Sequence, residues 1–256
     1  MTKVLLYCFL FVFIVIPSVM ADPALVLYLP MDEGRGDTVK DLSQNGNNGT
    51  LEGNPKWVEG KFGKALEFSG GSRVHISASR SLHGDIQKDT FTFAAWLKPT
   101  LTGDEWQHIW RTVDSKDQSQ DTLFLNTGGF FSWRGQLAGQ WDERCVTPGG
   151  IVKANEWTHV AVVGDKKDFK IYVNGAEAAS SPFVEQDGGM SDAYLAFDNR
   201  QWAEKYSGVM DEVYFLARAL TADEINDGVS RMLIKVLSVY PAGKLAATWG
   251  HVKGSQ

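Results

Sequence analysis

The chain has 256 residues, and its 31 acidic side chains outnumber its 25 lysines and arginines, which gives a formal net charge of −6. Nucleic acid and anionic lipid both require a basic patch on the protein, so this charge argues against either partner. Extracellular glycans require no such patch and stay compatible with the composition.

The first 21 residues are organised like a secretory signal peptide. Lys3 provides a positive start, Val4–Ile16 is a continuous apolar run, and the next five residues end in Val-Met-Ala. This pattern predicts cleavage between Ala21 and Asp22. The alternative is an uncleaved membrane anchor, but the apolar run is shorter than the ~20 residues that a spanning helix needs. We therefore expect a secreted chain, extracellular or periplasmic, with no membrane span after cleavage.

Cysteine usage follows from that cleavage. Cys8 leaves with the signal, so Cys145 is the single cysteine of the mature chain and no internal disulfide can form. Cys145 then either cross-links to another chain or is a small buried residue, and we favour burial. A domain of about 210 residues buries a sizeable core without a disulfide.

From residue 22 to about residue 232, short β-branched and aromatic runs alternate with turns rich in Gly, Asn, Asp and Ser. Strands do not alternate with helices, so we expect an all-β, two-sheet antiparallel jelly-roll sandwich that forms one domain over 22–232. Residues 233–256 are interpreted as an extended C-terminal tail. The eleven strand candidates are ALVLYLP, ALEFSG, RVHIS, FTFAAWLKP, QHIWRTVD, DTLFLNT, FFSWRG, WTHVAVVGD, DFKIYVNG, AYLAFD and SGVMDEVYFL.

One short helix is predicted near the C-terminal end of the domain. Thr221 is a good N-cap residue and Glu224 follows three residues later, which is the capping-box pattern. Leu220 and Ile225 are spaced to form a hydrophobic staple across the cap. Gly228 is the expected C-cap residue.

The segment Met31–Pro55 is dense in oxygen donors and in turn-forming residues. Calcium prefers six to eight oxygen ligands, many of them backbone carbonyls of such turns. Asp41–Glu52 comes close to the EF-hand loop pattern, but its flanks are not amphipathic helices, so we reject that fold. Two interpretations stay open: a calcium site, or a solvated loop whose Asn and Asp side chains cap their own backbone.

Asp211 lies within the last strand candidate. If that strand alternates regularly, Asp211 shares an apolar face with Val209, Val213 and Phe215. An ionised carboxylate in such a place must be paired or coordinated. A structural calcium ion shared with the N-terminal segment would satisfy it, and so would an ion pair with Arg218.

Four stretches follow a recognisable pattern. Leu25–Ile76 is similar to three motifs in succession: D-E-G-x-G, then D-x-S-G-x-G-N-x-G-x-L, then G-x-x-G-x-A-L-x-F. Phe91–Pro99 is similar to F-T-x-x-x-W-x-x-P. Ala154–Gly175 is similar to a W-x-H-V-A and Y-V-N-G hairpin, and Ser207–Ile225 to G-x-I-D-E-V followed by R-A-L-[ST]-x-x-E-I. Together these motifs resemble a laminin-G-like domain of the concanavalin A-like jelly-roll superfamily, over nearly all of Leu25–Gly228.

The resemblance carries functional expectations. Members of this superfamily are mostly binding modules for carbohydrate or protein partners, often with one structural calcium ion, and the resemblance implies a metal role for Asp41 and Asp211. This chain departs from the pattern at Leu29, where an aromatic residue is common, and at Ser69, where many members have Asp. Thr100–Ile151 matches little. The candidate calcium ligands are Glu33, Asp41, Asn45, Asn48 and Asp211.

The sequence predicts that the domain is not an enzyme. Hydrolases of the superfamily carry carboxylates two to four residues apart on one strand, as in E-x-D-x-x-E, because retaining chemistry needs a separation of about 5 Å. Asp211 and Glu212 are adjacent and point to opposite faces of a regular strand. Neither E-x-D-x-x-E, H-E-x-x-H nor G-x-S-x-G occurs in the chain.

The expected ligand site is the tryptophan-rich middle of the chain together with a later polar segment. Sugar rings stack on aromatic planes and accept hydrogen bonds from Arg and Asn. The predicted function is a secreted, non-catalytic, carbohydrate-binding module. The alternatives are a protein-interaction or matrix module with a flat apolar patch and, less favoured, a glycoside hydrolase. The candidate ligand-binding residues are Trp141, Trp202, Arg200, Arg134 and Asn126.

Overall fold

The computed structural model describes residues 22–82, 90–114, 119–137, 140–185, 191–196 and 204–229. The expected signal peptide, 1–21, and the expected tail, 233–256, lie outside these ranges. Within them, no helix is long and apolar enough to cross a bilayer.

The described residues form sixteen strands and one helix. In chain order these elements are β1 Leu25–Leu29, β2 Thr38–Val39, β3 Gly49–Glu52, β4 Lys56–Glu59, β5 Lys64–Phe68, β6 Arg73–Ile76, β7 Thr90–Pro99, β8 Trp106–Asp114, β9 Ser119–Asn126, β10 Phe130–Leu137, β11 Gln140–Val146, β12 Thr158–Asp165, β13 Asp168–Val173, β14 Ala176–Pro182, β15 Ser191–Leu195, β16 Gly208–Leu216 and α1 Ala222–Val229.

The strands form two eight-stranded sheets. Sheet A has the order β14-β13-β12-β7-β16-β5-β4, and β1 also pairs with β16. Sheet B has the order β11-β10-β9-β8-β15-β6-β3-β2. Neighbouring strands such as β7 and β12, or β8 and β9, are antiparallel. The predicted two-sheet antiparallel sandwich is confirmed.

All eleven sequence-predicted strands are present, and the structure adds β2, β3, β4, β11 and β14. The added strands are short or polar: β2 has two residues, and β14 reads AEAASSP with no large apolar side chain. β4 and β14 are edge strands of sheet A, and β2 and β11 are edge strands of sheet B. An edge strand faces little of the core, so its sequence carries a weak alternation signal.

The main core fills the space between the sheets. Alternation along β7 directs Phe91, Phe93, Ala95 and Leu97 into this core, where each is fully buried. Aromatic residues of sheet B meet them from the other side, with the rings of Phe93 and Trp110 5.2 Å apart and those of Phe91 and Trp133 5.3 Å apart. Cys145 belongs to the same core, which confirms its predicted burial.

A second apolar cluster lies on the outer face of sheet A and is covered by α1. Leu220 and Ile225 from the helix region pack with Ala94, Tyr214 and Leu216 of the sheet. The capping box is confirmed, because the Thr221 N–H donates to Glu224 Oε2 at 2.8 Å and the Glu224 N–H donates to Thr221 Oγ1 at 3.3 Å. Gly228 is buried within the helix, so its assignment as the C-cap is wrong.

Strand β16 contains a bulge that changes which side chains share a face. The register with β7 shifts between Asp211 and Tyr214, and Glu212 adopts φ +52°. Val213 and Phe215 join the main core, as expected, but Asp211 lies opposite Trp96 on the outer face of sheet A. The predicted apolar face shared by Asp211, Val213 and Phe215 is therefore wrong, because one extra residue in a bulge reverses the alternation.

Candidate functional site

The N-terminal segment is organised around the carboxylate of Asp41. Its Oδ1 accepts hydrogen bonds from the backbone N–H groups of Tyr28 at 3.0 Å and Ser43 at 2.9 Å. Its Oδ2 accepts from Ser43 Oγ at 2.7 Å and from the Asn47 N–H at 2.8 Å. A carboxylate offers about four lone-pair positions. Hydrogen-bond donors of the protein therefore occupy all of them.

The neighbouring candidate calcium ligands also serve the backbone. Asn48 Oδ1 accepts from the Asp41 N–H at 2.9 Å, and Glu33 Oε1 accepts from the Lys40 N–H at 2.9 Å. Asn45 donates from its NH₂ group to the backbone carbonyls of Leu25 at 2.9 Å and Val26 at 3.1 Å.

Asp211 holds a different loop. Its Oδ2 accepts from the Phe62 N–H at 2.9 Å, and a Cβ added at Gly60 would lie 2.7 Å from the same oxygen. The turn over 60–63 thus closes against this carboxylate. Arg218, the alternative partner expected from sequence, pairs with Asp22 at 2.7 Å and Glu224 at 2.7 Å.

These arrangements bear on the predicted calcium ion. In the parts of the chain that the structure describes, no three or more His, Cys, Asp and Glu side chains group as a metal site would require. The oxygens of Asp41 and Asn48 already accept N–H or O–H donors, so neither residue offers a free oxygen to a cation, whereas Glu33 Oε2 is buried without a hydrogen-bond partner among the described residues. Calcium binding stays a prediction of the sequence, and we derive no function from it.

The outer face of sheet B presents a row of polar side chains, which we call the polar face. The cross-strand register aligns one residue from each strand, and their neighbours along the strands, such as Val74, Leu123 and Trp133, belong to the core between the sheets. The row therefore faces away from the core. In strand order it consists of Glu143, Arg134, Thr122, Arg111, Tyr194, His75, Thr50 and Thr38.

At one end of the polar face, Arg134 lies over aromatic rings. Its guanidinium is 4.0 Å from the centroid of the Trp106 ring and 4.9 Å from that of Phe124. Its Nη2 donates to Glu143 Oε1 at 2.9 Å, and its Nε donates to Ser132 Oγ at 3.3 Å. These contacts hold the guanidinium beside a carboxylate and over an aromatic surface.

Trp106 is the centre of this aromatic surface. Its ring makes edge-to-face contacts with Phe124 at 5.8 Å and Phe130 at 5.6 Å between centroids. Trp106 and Phe130 are partly exposed, as is Arg134. The combination places apolar ring surface and charged hydrogen-bonding groups within reach of one solvent-facing ligand.

The centre of the polar face is a buried basic pair. His108 Nδ1–H donates to the Glu204 carbonyl at 3.0 Å, which leaves Nε2 as the acceptor for Arg111 Nη1 at 2.7 Å. His108 and Arg111 are 1% and 4% exposed. At this point the row is closed to solvent, and neither residue offers surface to a ligand.

Beyond Arg111, on β15 and β6, the polar face combines a second aromatic ring with charges. The His75 ring stacks on Tyr194 with centroids 4.8 Å apart, and Arg73 lies 5.4 Å from the same Tyr194 ring. His75 Nε2 is 3.0 Å from Asp192 Oδ2, and Arg73 pairs with Glu52 at 2.5 Å. Each charged group here has an opposite or polar partner.

The structure places the five sequence-predicted ligand residues differently from one another. Arg134 lies on the polar face, whereas Asn126 is 5% exposed and its Oδ1 accepts from the Gly128 N–H at 2.7 Å. Asn126 therefore fixes the β9–β10 turn. Trp141 is part of β11, but its side chain lies outside what the structure describes, and so do Arg200 and Trp202.

Tyr194 and His75 of the polar face, and Trp106 beside it, were not among the candidate ligand-binding residues chosen from the sequence. For Tyr194 and His75 the available signal is position: each lies on a strand one residue from a core side chain, so alternation assigns it to the outer face. Alternation alone does not show that strands from both ends of the chain would place these residues on one face.

A buried histidine lies on the other sheet. His159 is fully buried, its Nε2 is 3.1 Å from the Tyr214 hydroxyl, and its Nδ1 has no hydrogen-bond partner among the described residues. Burial lowers the pKa of His159 to about 3 and raises the pKa of Tyr214 above its usual value. Both groups are therefore neutral near pH 7.

Comparison with solved structures identifies the fold. The binding domain of Paraclostridial Mosquitocidal Protein 1 is 18% identical and superposes with a TM-score of 0.65, over 81% of this chain and 52% of that one. Domain 4 of AbnA, a GH43 extracellular arabinanase from Geobacillus stearothermophilus solved in complex with arabinotriose, is 20% identical with a TM-score of 0.62, over 79% of this chain and 97% of that one.

A botulinum neurotoxin DC binding domain, solved in complex with rat synaptotagmin II, is 15% identical with a TM-score of 0.64, over 82% of this chain and 52% of that one. The chain spans about half the length of the toxin binding domains that it matches. At these identities the likeness establishes the fold alone.

A comparison with curated protein sequences finds no match. Residues 68–226, more than half of the chain, match a laminin-G family that is described as the Concanavalin A-like lectin/glucanases superfamily. The match runs from the end of β5 through β16 into α1 and so includes strands of both sheets and most of the polar face. The chain belongs to this laminin-G family of the concanavalin A-like lectin/glucanases superfamily.

Proposed function

We propose that this domain is a non-catalytic binding module that holds an extracellular glycan at the Arg134 end of the polar face. The observation that carries the proposal is the cluster of Trp106, Phe130, Arg134 and Glu143. It combines partly exposed ring surface with a guanidinium and a carboxylate. Sugars present both C–H faces and hydroxyl groups, and this cluster offers a partner to each.

The acids of the polar face support a role without catalysis. Glu143 pairs with Arg134, Glu52 with Arg73, and Asp192 with His75. General acid and base catalysis on a glycosidic bond requires two carboxyl groups that face each other across the substrate. Among the described residues of this face, each acid instead faces a basic partner on its own or a neighbouring strand.

The surface also supports a glycan over the alternative of an apolar protein interface. In the described part of the chain, Val146 is the single large apolar side chain that is exposed, at 40%. One isolated valine does not form the contiguous patch that the protein-interaction alternative calls for. The arabinotriose complex of the arabinanase domain agrees with a sugar ligand for this fold, although at 20% identity.

The apolar run Val4–Ile16 and the Val-Met-Ala end of the first 21 residues support export of the domain. We therefore place the proposed glycan outside the cell. Export is tested by mass spectrometry of the protein recovered from the medium or periplasm, which should begin at Asp22.

Isothermal titration with arabinotriose, followed by a panel of neutral and acidic oligosaccharides, tests the proposed function. Trp106→Ala should weaken binding of any ligand found by about tenfold, because it removes the stacking surface. The matched control is Trp157→Ala, which removes a partly exposed tryptophan that precedes β12 in sheet A. Equal loss in both variants, or no binding across the panel, refutes the proposal.

A further inference from the structure

A second surface lies just before β2, away from the cluster of Trp106, Phe130, Arg134 and Glu143. Arg35, Gly36 and Asp37 follow one another on a bend, and all three are exposed. β2 is the edge strand of sheet B opposite β11, which carries Glu143. The full width of the sheet therefore separates this bend from the proposed glycan site.

The backbone of the bend is held in place on both sides. The Leu51 N–H donates to the Asp37 carbonyl at 2.8 Å, and the Trp57 indole N–H donates to the Gly36 carbonyl at 3.1 Å. Gly36 has φ +88°, a conformation that glycine adopts without strain. A loop fixed in this way loses little conformational entropy when a partner binds it.

The charged side chains of the bend are available to a partner. The Arg35 side chain forms no ion pair or hydrogen bond with any residue the structure describes, and the Asp37 carboxylate accepts only from the neighbouring Thr38 hydroxyl, at 3.2 Å. Both side chains line a shallow cleft of about 400 Å³ together with Glu33, Thr38 and Lys40. A guanidinium and a carboxylate are thus presented side by side, with a residue lacking a side chain between them.

We propose that the Arg35-Gly36-Asp37 bend is an adhesion site for a receptor protein that holds a divalent cation. The Asp37 carboxylate completes the oxygen coordination of the receptor's cation, which hard cations such as Mg²⁺ and Ca²⁺ favour. Arg35 pairs in a two-pronged manner with a carboxylate of the receptor. Gly36 lets the receptor approach the backbone closely.

This partner follows from the charges at the bend. The pair of one cation and one anion carries no net charge, so a partner of a single sign gains little from it. A receptor with a metal ion and a carboxylate at matching positions gains from both groups. The metal ion belongs to the receptor, and the proposal needs none in this chain.

Surface plasmon resonance tests the proposal with the mature chain, Asp22–Gln256, immobilised. The probe is a purified receptor chosen for metal-dependent binding of the peptide Gly-Arg-Gly-Asp-Ser. We expect binding in Mn²⁺ that chelator abolishes and that the soluble peptide displaces. Asp37→Glu, which keeps the charge but moves the carboxylate, should weaken binding by about tenfold or more.

The matched control is Asp223→Glu, which makes the same change at an exposed acid in the first turn of α1. It should bind the receptor as the unaltered chain does, and both variants should unfold at the unaltered midpoint. Failure of the unaltered chain to bind, or equal binding by Asp37→Glu, overturns the proposal. Oligosaccharide binding should be the same in Asp37→Glu, so this result is independent of the glycan test.

Discussion

Acid should destabilise the domain through His159. Its folded-state pKa of about 3 lies below the value of about 6.5 that an unfolded chain gives histidine. The unfolded state therefore binds the extra proton between these values, and stability is lost as the pH falls below about 6.5. At about 1.4 kcal/mol per pH unit, the loss from this residue reaches about 2 kcal/mol at pH 5.

Urea unfolding at pH 7 and at pH 5 measures this loss as the difference between the two free energies of unfolding. His159→Phe should reduce the difference by about 2 kcal/mol, whatever its effect at pH 7, because phenylalanine does not titrate. Tyr214→Phe removes the hydroxyl 3.1 Å from His159 but keeps the histidine, so it should retain the dependence of the unaltered chain. A pH difference that is unchanged in His159→Phe refutes the assignment of a buried, neutral histidine.

Three further outcomes follow from contacts in the structure. Asp41→Ala removes the acceptor of four hydrogen bonds and should lower the free energy of unfolding by about 3 kcal/mol, in calcium and in chelator alike. A loss seen only in calcium would assign Asp41 to a metal site instead. Gly60→Ala places a Cβ 2.7 Å from Asp211 Oδ2 and from the Lys64 carbonyl oxygen. Chemical denaturation should therefore show a free energy of unfolding about 2 kcal/mol lower. An unchanged free energy would mean that the 60–63 turn is not closed on Asp211. Arg134→Ala uncovers one side of the Trp106 ring, so acrylamide should quench the fluorescence of Trp106 more strongly than in the unaltered chain. The Trp106 contribution is the fluorescence that is lost in Trp106→Phe. Unchanged quenching would exclude the contact between the guanidinium and the ring.

The sequence predicted the fold well wherever strands cross the core. In FTFAAWLKP, alternation and aromatic content indicated β7, and the inward side chains are the expected ones. The capping box of Thr221 and Glu224 likewise predicted the start of α1 from local chemistry alone. Edge strands such as β14 were not predicted, because they bury little apolar surface and carry small or polar residues.

The face of Asp211 could not be predicted, because nothing in the local sequence marks the bulge. Glycine or asparagine usually signals a positive φ, but here Glu212 adopts +52°. A contact distant in sequence holds this conformation: the Tyr28 hydroxyl, on the neighbouring strand β1, donates to Glu212 Oε2 at 2.5 Å.

The oxygen-rich N-terminal segment was interpreted from residue types, and types alone do not separate a metal ligand from a turn-forming acceptor. Asp41 is the clearest case, because its four donors come from positions as distant as Tyr28 and Asn47. The polar face could not be predicted for a related reason, because it depends on which strands pair. Tyr194 and Arg111 are neighbours only because β15 pairs with β8, which a single sequence does not reveal.

The central claim is that a glycan binds beside Trp106 and Arg134 on the outer face of sheet B. The most direct measurement is a ¹⁵N NMR titration of the mature chain with arabinotriose and the oligosaccharide panel. It follows the Trp106 indole N–H, the Arg134 side-chain N–H and, as a reference, the Trp57 indole N–H beside Gly36. Saturable shifts at Trp106 and Arg134 with none at Trp57 are predicted; shifts confined to other surfaces, or none with any sugar, would contradict the claim.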